Sequence, residues 1–307
     1  MEITALTMPP FNTTLIGVLK GVTAYYGLTH SDPLLFGASG HAFLINIHEQ
    51  LCPSGPYCWK AAGFERLIGN LGLRRNDLGF FSPDSRPEDR NQVEAQLRAA
   101  LDQGIPCALL NLENQLITGY DDAGFFTAQP WAPHMNFPPA RLSFGAWPEL
   151  GEQFHVNFYT FARCQAADLR TQVLDSLEYA VDLHRNPQQH SFPGYHIGPD
   201  AYACWKAAVS EHGASHGQWW NATVWWECRR MAAAYFTEIA GLIPAAAAPA
   251  TALAHAYTEI ADLLGQLRDK ALPAADKIAR LDRAAAVEAQ AIELVAGLAA
   301  QLREMNA

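Results

Sequence analysis

Residues 112–128 constrain this chain most. Leu112-Glu113-Asn114-Gln115-Leu116-Ile117-Thr118-Gly119-Tyr120-Asp121-Asp122 reads as a β-strand that ends in a Gly-Tyr-Asp-Asp turn. A second short strand follows, Gly124-Phe125-Phe126-Thr127-Ala128, and then Gln129-Pro130. Apolar, β-branched and aromatic residues bounded by turn formers are the mark of a hairpin. Asp121 and Asp122 suit the turn, because a short carboxylate side chain can accept hydrogen bonds from backbone just ahead of it.

The same pattern extends on both sides. Residues 106–112, 116–120, 125–128 and 154–161 are short apolar runs separated by turns, so the spacing predicts an antiparallel sheet across 106–161. Before it the pattern is helical. Asn12-Thr13-Thr14 offers capping hydroxyls for a helix over 15–26 that Gly27 stops, with Leu15, Val18, Leu19 and Val22 on one face. Ser31-Asp32-Pro33 starts a shorter helix, Ala42 to Ile47 is an apolar run of strand length, and residues 51–57 must form a loop. Helical periodicity resumes over 59–71 and again over 87–103, where Val93, Leu97, Ala100 and Leu101 share a face. After Cys164 almost everything reads as helix: 168–184, 200–212, 218–242, 251–270 and 274–305. The polar segment 184–198, with two prolines and two glycines, reads as a linker.

Composition narrows the function classes. The chain has 307 residues, half of them apolar and 17% charged, enough for one large domain or two smaller ones. The net charge of −10 is shared evenly: residues 1–165 carry 10 basic and 15 acidic side chains, residues 166–307 carry 11 and 16. Neither half has a basic stripe, which argues against nucleic acid or an anionic membrane surface as partner. The N-terminus lacks the pattern of a secretory signal, and no unbroken apolar run reaches the ~18 residues of a membrane span. The expected location is the cytoplasm, where the six cysteines stay reduced.

Four motifs, taken in order, carry a resemblance. They are Gly37-Ala38-Ser39-Gly40-His41-Ala42-Phe43; Leu51-Cys52-Pro53-Ser54-Gly55-Pro56; Glu113 through Asp122; and Ala201-Tyr202-Ala203-Cys204-Trp205 with Asn221 through Arg229. The set resembles a bacterial family with a papain-like N-terminal region and a helical C-terminal region, related to the butirosin-biosynthesis protein H acyltransferases. The hairpin also resembles the leader-processing cysteine peptidases. The resemblance implies an α+β fold: a papain-like domain with an antiparallel sheet over 1–165, then an all-helical domain over 166–307 that closes over its cleft. It implies acyl or amide chemistry on a small-molecule or peptide ligand, an acyl carrier protein as a candidate partner, and no cofactor or metal.

The family's chemistry does not carry over residue by residue. Its nucleophilic Cys opens the first helix, where this chain has Asn12-Thr13-Thr14. Its His falls at Glu113, and its third residue falls at Gln129. A Thr hydroxyl beside a carboxylate is a poor nucleophile without a base of suitable strength. Thr13 and Thr14 are therefore expected to cap the helix. Cys52, in its loop of prolines and small residues, is the remaining candidate thiol, with His41 as proton carrier. Glu113 is the candidate carboxylate, since burial at the end of an apolar strand raises a carboxyl pKa. It is expected to face the principal pocket. Asn114, Gln115, Gln129, Ser54, Asn221 and Glu227 are candidate ligand-binding side chains. His41 and His48, seven apart, suit neither one helix face nor one strand face, which argues against a metal site. The two readings left open are an enzyme with a rebuilt active site and a catalytically inactive ligand-binding relative.

Overall fold

The computed structural model describes residues 1–304. It divides into two compact units, one made of residues 1–30 and 72–166, the other of residues 31–71 and 167 onward. A single cut at 165/166 therefore fails for residues 31–71, which pack with the helical half of the chain.

In chain order the first segment contributes α1 (Thr14–Tyr25). Residues 31–71 contribute α2 (Asp32–Ala38), β1 (Asn46–His48) and α3 (Ala62–Asn70). Residues 72–166 contribute β2 (Leu73–Phe81), α4 (Pro87–Asp102), β3 (Cys107–Leu110), β4 (Asn114–Tyr120), β5 (Gly124–Thr127), β6 (Arg141–Ser143) and β7 (Val156–Arg163). The remainder contributes α5 (Leu169–Arg185), α6 (Pro187–His190), β8 (Tyr195–Ile197), α7 (Pro199–His212), α8 (His216–Leu242), α9 (Ala247–Gln266) and α10 (Ala274–Glu304). Met305, where the last helix was expected to end, lies outside the described residues.

The first unit is α+β. Its six strands run in the order β2-β7-β3-β4-β5-β6, and every neighbouring pair is antiparallel. The β4–β5 hairpin forms as the sequence suggests: Asp121 Oδ1 accepts from the N–H groups of Ala123 (2.8 Å) and Gly124 (3.1 Å). α1 packs against β4, and its expected stripe of Leu15, Val18, Leu19 and Val22 is buried. The close approach depends on Gly21, where a Cβ would strike the Thr7 carbonyl and the Leu116 side chain. β2 has no counterpart in the sequence reading. Its middle, Arg74 to Asp77, is polar, which an edge strand tolerates because one side of it meets no neighbouring strand.

The second unit is helical, with α8 central: α9 and α2 pack on it, and α10 packs on α9, α5 and α7. The expected strand 42–47 is a correction. Residues 41–43 form a 3-10 turn entered through Gly40 at φ 77°, and only Asn46 to His48 is strand. The expected linker 184–198 is also ordered. It carries α6 and β8, and β8 pairs antiparallel with β1 in the register Asn46↔Ile197 and His48↔Tyr195. α10 is long and apolar enough to cross a membrane, but its inward face carries core residues such as Leu281, Ile292 and Leu298 alongside Lys277 and Glu288, all buried.

Candidate functional site

Thr14 and Glu113 meet in the first unit. Thr14 is the first residue of α1, and Glu113 sits in the turn between β3 and β4. Thr14 Oγ1 donates to Glu113 Oε2 at 2.7 Å and accepts from the Asn114 N–H at 3.1 Å. Thr14 is fully buried and Glu113 is 5% exposed. This corrects the expected cap: Thr13 occupies the N-cap position without a side-chain capping bond, and the Thr14 hydroxyl is committed to the hairpin.

The polar side chains beside this pair serve the backbone. Gln115 Nε2 donates to the Ala128 carbonyl (2.8 Å) and the Pro139 carbonyl (2.7 Å), while Gln129 Nε2 donates to the Pro138 carbonyl (2.8 Å). Together they hold the segment between β5 and β6, whose four prolines at 130, 133, 138 and 139 can donate no backbone hydrogen bond. Asn114, also buried, begins β4.

His41 and Cys52 lie in the second unit and do not form the expected pair. His41 is 2% exposed, among the rings of Trp59, Phe64 and Trp225. Its Nδ1 is 3.6 Å from the Cys228 sulfur, 187 residues away, and its Nε2 has no partner. Burial, reinforced by the Arg229 cation, pushes the imidazole down from 6.5 to about 4, so it is neutral at pH 7. A Cys–His contact thus exists, but with Cys228, which is itself fully buried.

Cys52 sits on a loop braced by side chains. Asn221 Nδ2 donates to the Cys52 carbonyl (3.0 Å), and Asn46 Nδ2 donates to the carbonyls of Gly55 (2.8 Å) and Cys58 (2.9 Å). Ser54 Oγ lies 2.8 Å from the Tyr195 hydroxyl, and Trp220 Nε1 donates to the Tyr57 hydroxyl at 3.0 Å. The start of α8 comes so close that a Cβ on Gly217 would strike the Leu51 carbonyl. Leu51 itself holds φ 50°, a left-handed conformation that costs a branched residue about 1–3 kcal/mol and persists only where packing enforces it. Ser54 and Asn221 are therefore parts of the brace, and Glu227 is buried further along α8.

What brings residues 41–44 to the helices is a buried cluster of Arg229, Glu288 and Tyr202, whose pairing the sequence reading did not foresee. Arg229 Nη1 donates to the carbonyls of Ala42 and Leu44, both at 2.8 Å, and its Nη2 lies 2.7 Å from Glu288 Oε1. Tyr202 donates to the other Glu288 oxygen. All three side chains are buried. In the sequence, Arg229 and Glu288 look like ordinary charges on long helices. Only their positions on the apolar faces of those helices hint at burial.

An open groove of about 950 Å³ in the second unit is lined by α7, by the 188–196 segment and by Glu49 and Lys60. Glu113, expected to face the main pocket, does not line it, and neither do Cys52 and His41. Among the described residues no group of three or more His, Cys, Asp or Glu side chains is arranged to hold a metal ion.

No family model and no curated protein matches this chain.

Proposed function

We propose that this chain is a papain-like-fold relative that binds a small amide- or acyl-bearing ligand without turning it over. One observation carries the reading: the Thr14 hydroxyl is closed onto Glu113 at the positions where the related enzymes hold Cys and His. A carboxylate is too weak a base to generate an alkoxide, so the Thr14 proton stays on Thr14 and Glu113 is a hydrogen-bond acceptor. One lone pair of the hydroxyl is engaged by the Asn114 N–H, and both side chains are buried. The other thiol–imidazole contact, Cys228 with His41, is buried as well. Cys52 is partly exposed, and the His41 ring proposed as its proton carrier meets Cys228 instead. Six cysteines outside any disulfide and the acidic, unstriped sequence support action in the cytoplasm.

The test is hydrolysis of p-nitrophenyl acetate and of an acyl thioester by wild type and by folded Thr14→Val, Glu113→Gln and Cys52→Ala chains. All four should match the buffer rate. A saturable rate in wild type that one of the three variants abolishes would return the chain to the enzymes.

A further inference from the structure

The groove on the second unit has a chemistry of its own. One wall is a single face of α7, with Asp200, Ala203, Cys204, Ala207, Ala208 and Glu211 recurring at helical spacing. The four central side chains are small, and that leaves the room. The carboxylates stand at the two ends, eleven residues apart, which is about 16 Å of helix rise. Across from them, the 188–196 segment contributes the aromatic side chain of Phe192, 44% exposed, and the body of Tyr195.

Charge selects among possible occupants. Glu49, Asp200 and Glu211 face the space and are opposed by one permanent cation, Lys60. Of the three histidines that line it or flank it, His196 is spent on Glu49 at 3.3 Å, His212 sits beside Glu211 at 3.9 Å, and His48 accepts from the Gln50 N–H. An anion entering the groove would meet excess negative charge. A cation with an apolar body would meet a carboxylate at each end, an aromatic face and a floor of methyl groups. The volume of about 950 Å³ is at the upper end of the range for small-molecule sites.

We infer that this groove binds a linear organic dication, an α,ω-diamine whose ammonium groups pair with Asp200 and Glu211 while its chain lies over Ala203 and Ala207 against Phe192. The site is independent of Thr14 and Glu113, so the inference stands or falls apart from the absence of turnover.

The experiment titrates the whole chain with decamethylenediamine by calorimetry, with ethylenediamine and decanoate as probes of length and charge. The long diamine should bind saturably with one site per chain, and the short diamine and the anion should bind at least about tenfold more weakly. Asp200→Asn combined with Glu211→Gln should weaken binding by about threefold or more, as should raising the salt, because the carboxylates are at the rim and screened. Ala207→Trp fills the groove without altering a charge and should abolish binding. Glu259→Gln on α9, outside the groove, should leave it unchanged. The inference is overturned if the long diamine does not bind, or if Ala207→Trp binds it as wild type does, which would mark a diffuse attraction to an acidic protein.

Discussion

Replacing Thr14 by Val separates a structural hydroxyl from a nucleophile. The side chains are nearly isosteric, so packing at the start of α1 is kept and only the oxygen is lost. Two interactions go with it: the 2.7 Å donation to Glu113 and the 3.1 Å acceptance from the Asn114 N–H. Both partners are buried. Leaving a buried group short of a partner costs about 1–3 kcal/mol, and more when the group is charged, so the combined loss should be roughly 2–4 kcal/mol. A simple N-cap hydroxyl would cost only about 1 kcal/mol. The measurement is urea unfolding, with the shift of the midpoint multiplied by the slope. Thr14→Ser, which keeps the oxygen, should recover most of the loss. Adding Glu113→Gln to Thr14→Val should cost less than the two single changes together, with a coupling of about 0.5–3 kcal/mol. A loss below about 1 kcal/mol, or strict additivity with Glu113→Gln, would refute the closed pair.

Two further outcomes follow from the second unit. Arg229→Met strips a buried carboxylate and two carbonyls of their donor, and should destabilise by about 3–5 kcal/mol, of which Arg229→Met with Glu288→Leu should restore a substantial part; hydrogen exchange at residues 44–58 reads the loosened segment directly. His41 titrates near 4 in the folded chain and near 6.5 when unfolded, so on acidification the unfolded state takes up the proton first. Its contribution is intact above pH 6.5, falls as pH drops toward 4 by roughly 3 kcal/mol, and flattens below that. Urea midpoints measured against pH should therefore flatten across this window in His41→Phe relative to wild type.

Local signals were legible in the sequence. Turn chemistry at Asp121 and the stripes on α1 and α4 gave the hairpin and its covering helices, because such features depend on residues within a few positions. Ser31 caps α2 as its position suggests, accepting from the Leu34 N–H at 3.1 Å. What was not legible depends on pairing across long separations. β8 lies in a polar, proline-bearing stretch and exists as a strand only because β1 provides a ladder for it. β2 lacks alternation because it is an edge. His41 and Cys52 are close in sequence, which suggested a dyad, yet the imidazole is turned into the aromatic core and meets Cys228. Gln115, Gln129, Ser54 and Asn221 have the polar chemistry of ligand contacts. The same donors are what loops rich in proline and glycine need to satisfy their carbonyls. The Thr14–Glu113 contact joins residues 99 positions apart, and the capping role expected of Thr14 did not foresee it.

The most direct test of binding without turnover is intact mass spectrometry of the folded chain after incubation with the N-acetylcysteamine thioester of a short acyl group, at neutral pH and with excess thioester. The account predicts an unmodified mass in wild type, Thr14→Val and Cys52→Ala, with thiol release no faster than in buffer. An acyl adduct on Thr14 or Cys52 that forms in wild type and is discharged on adding an amine acceptor would contradict it.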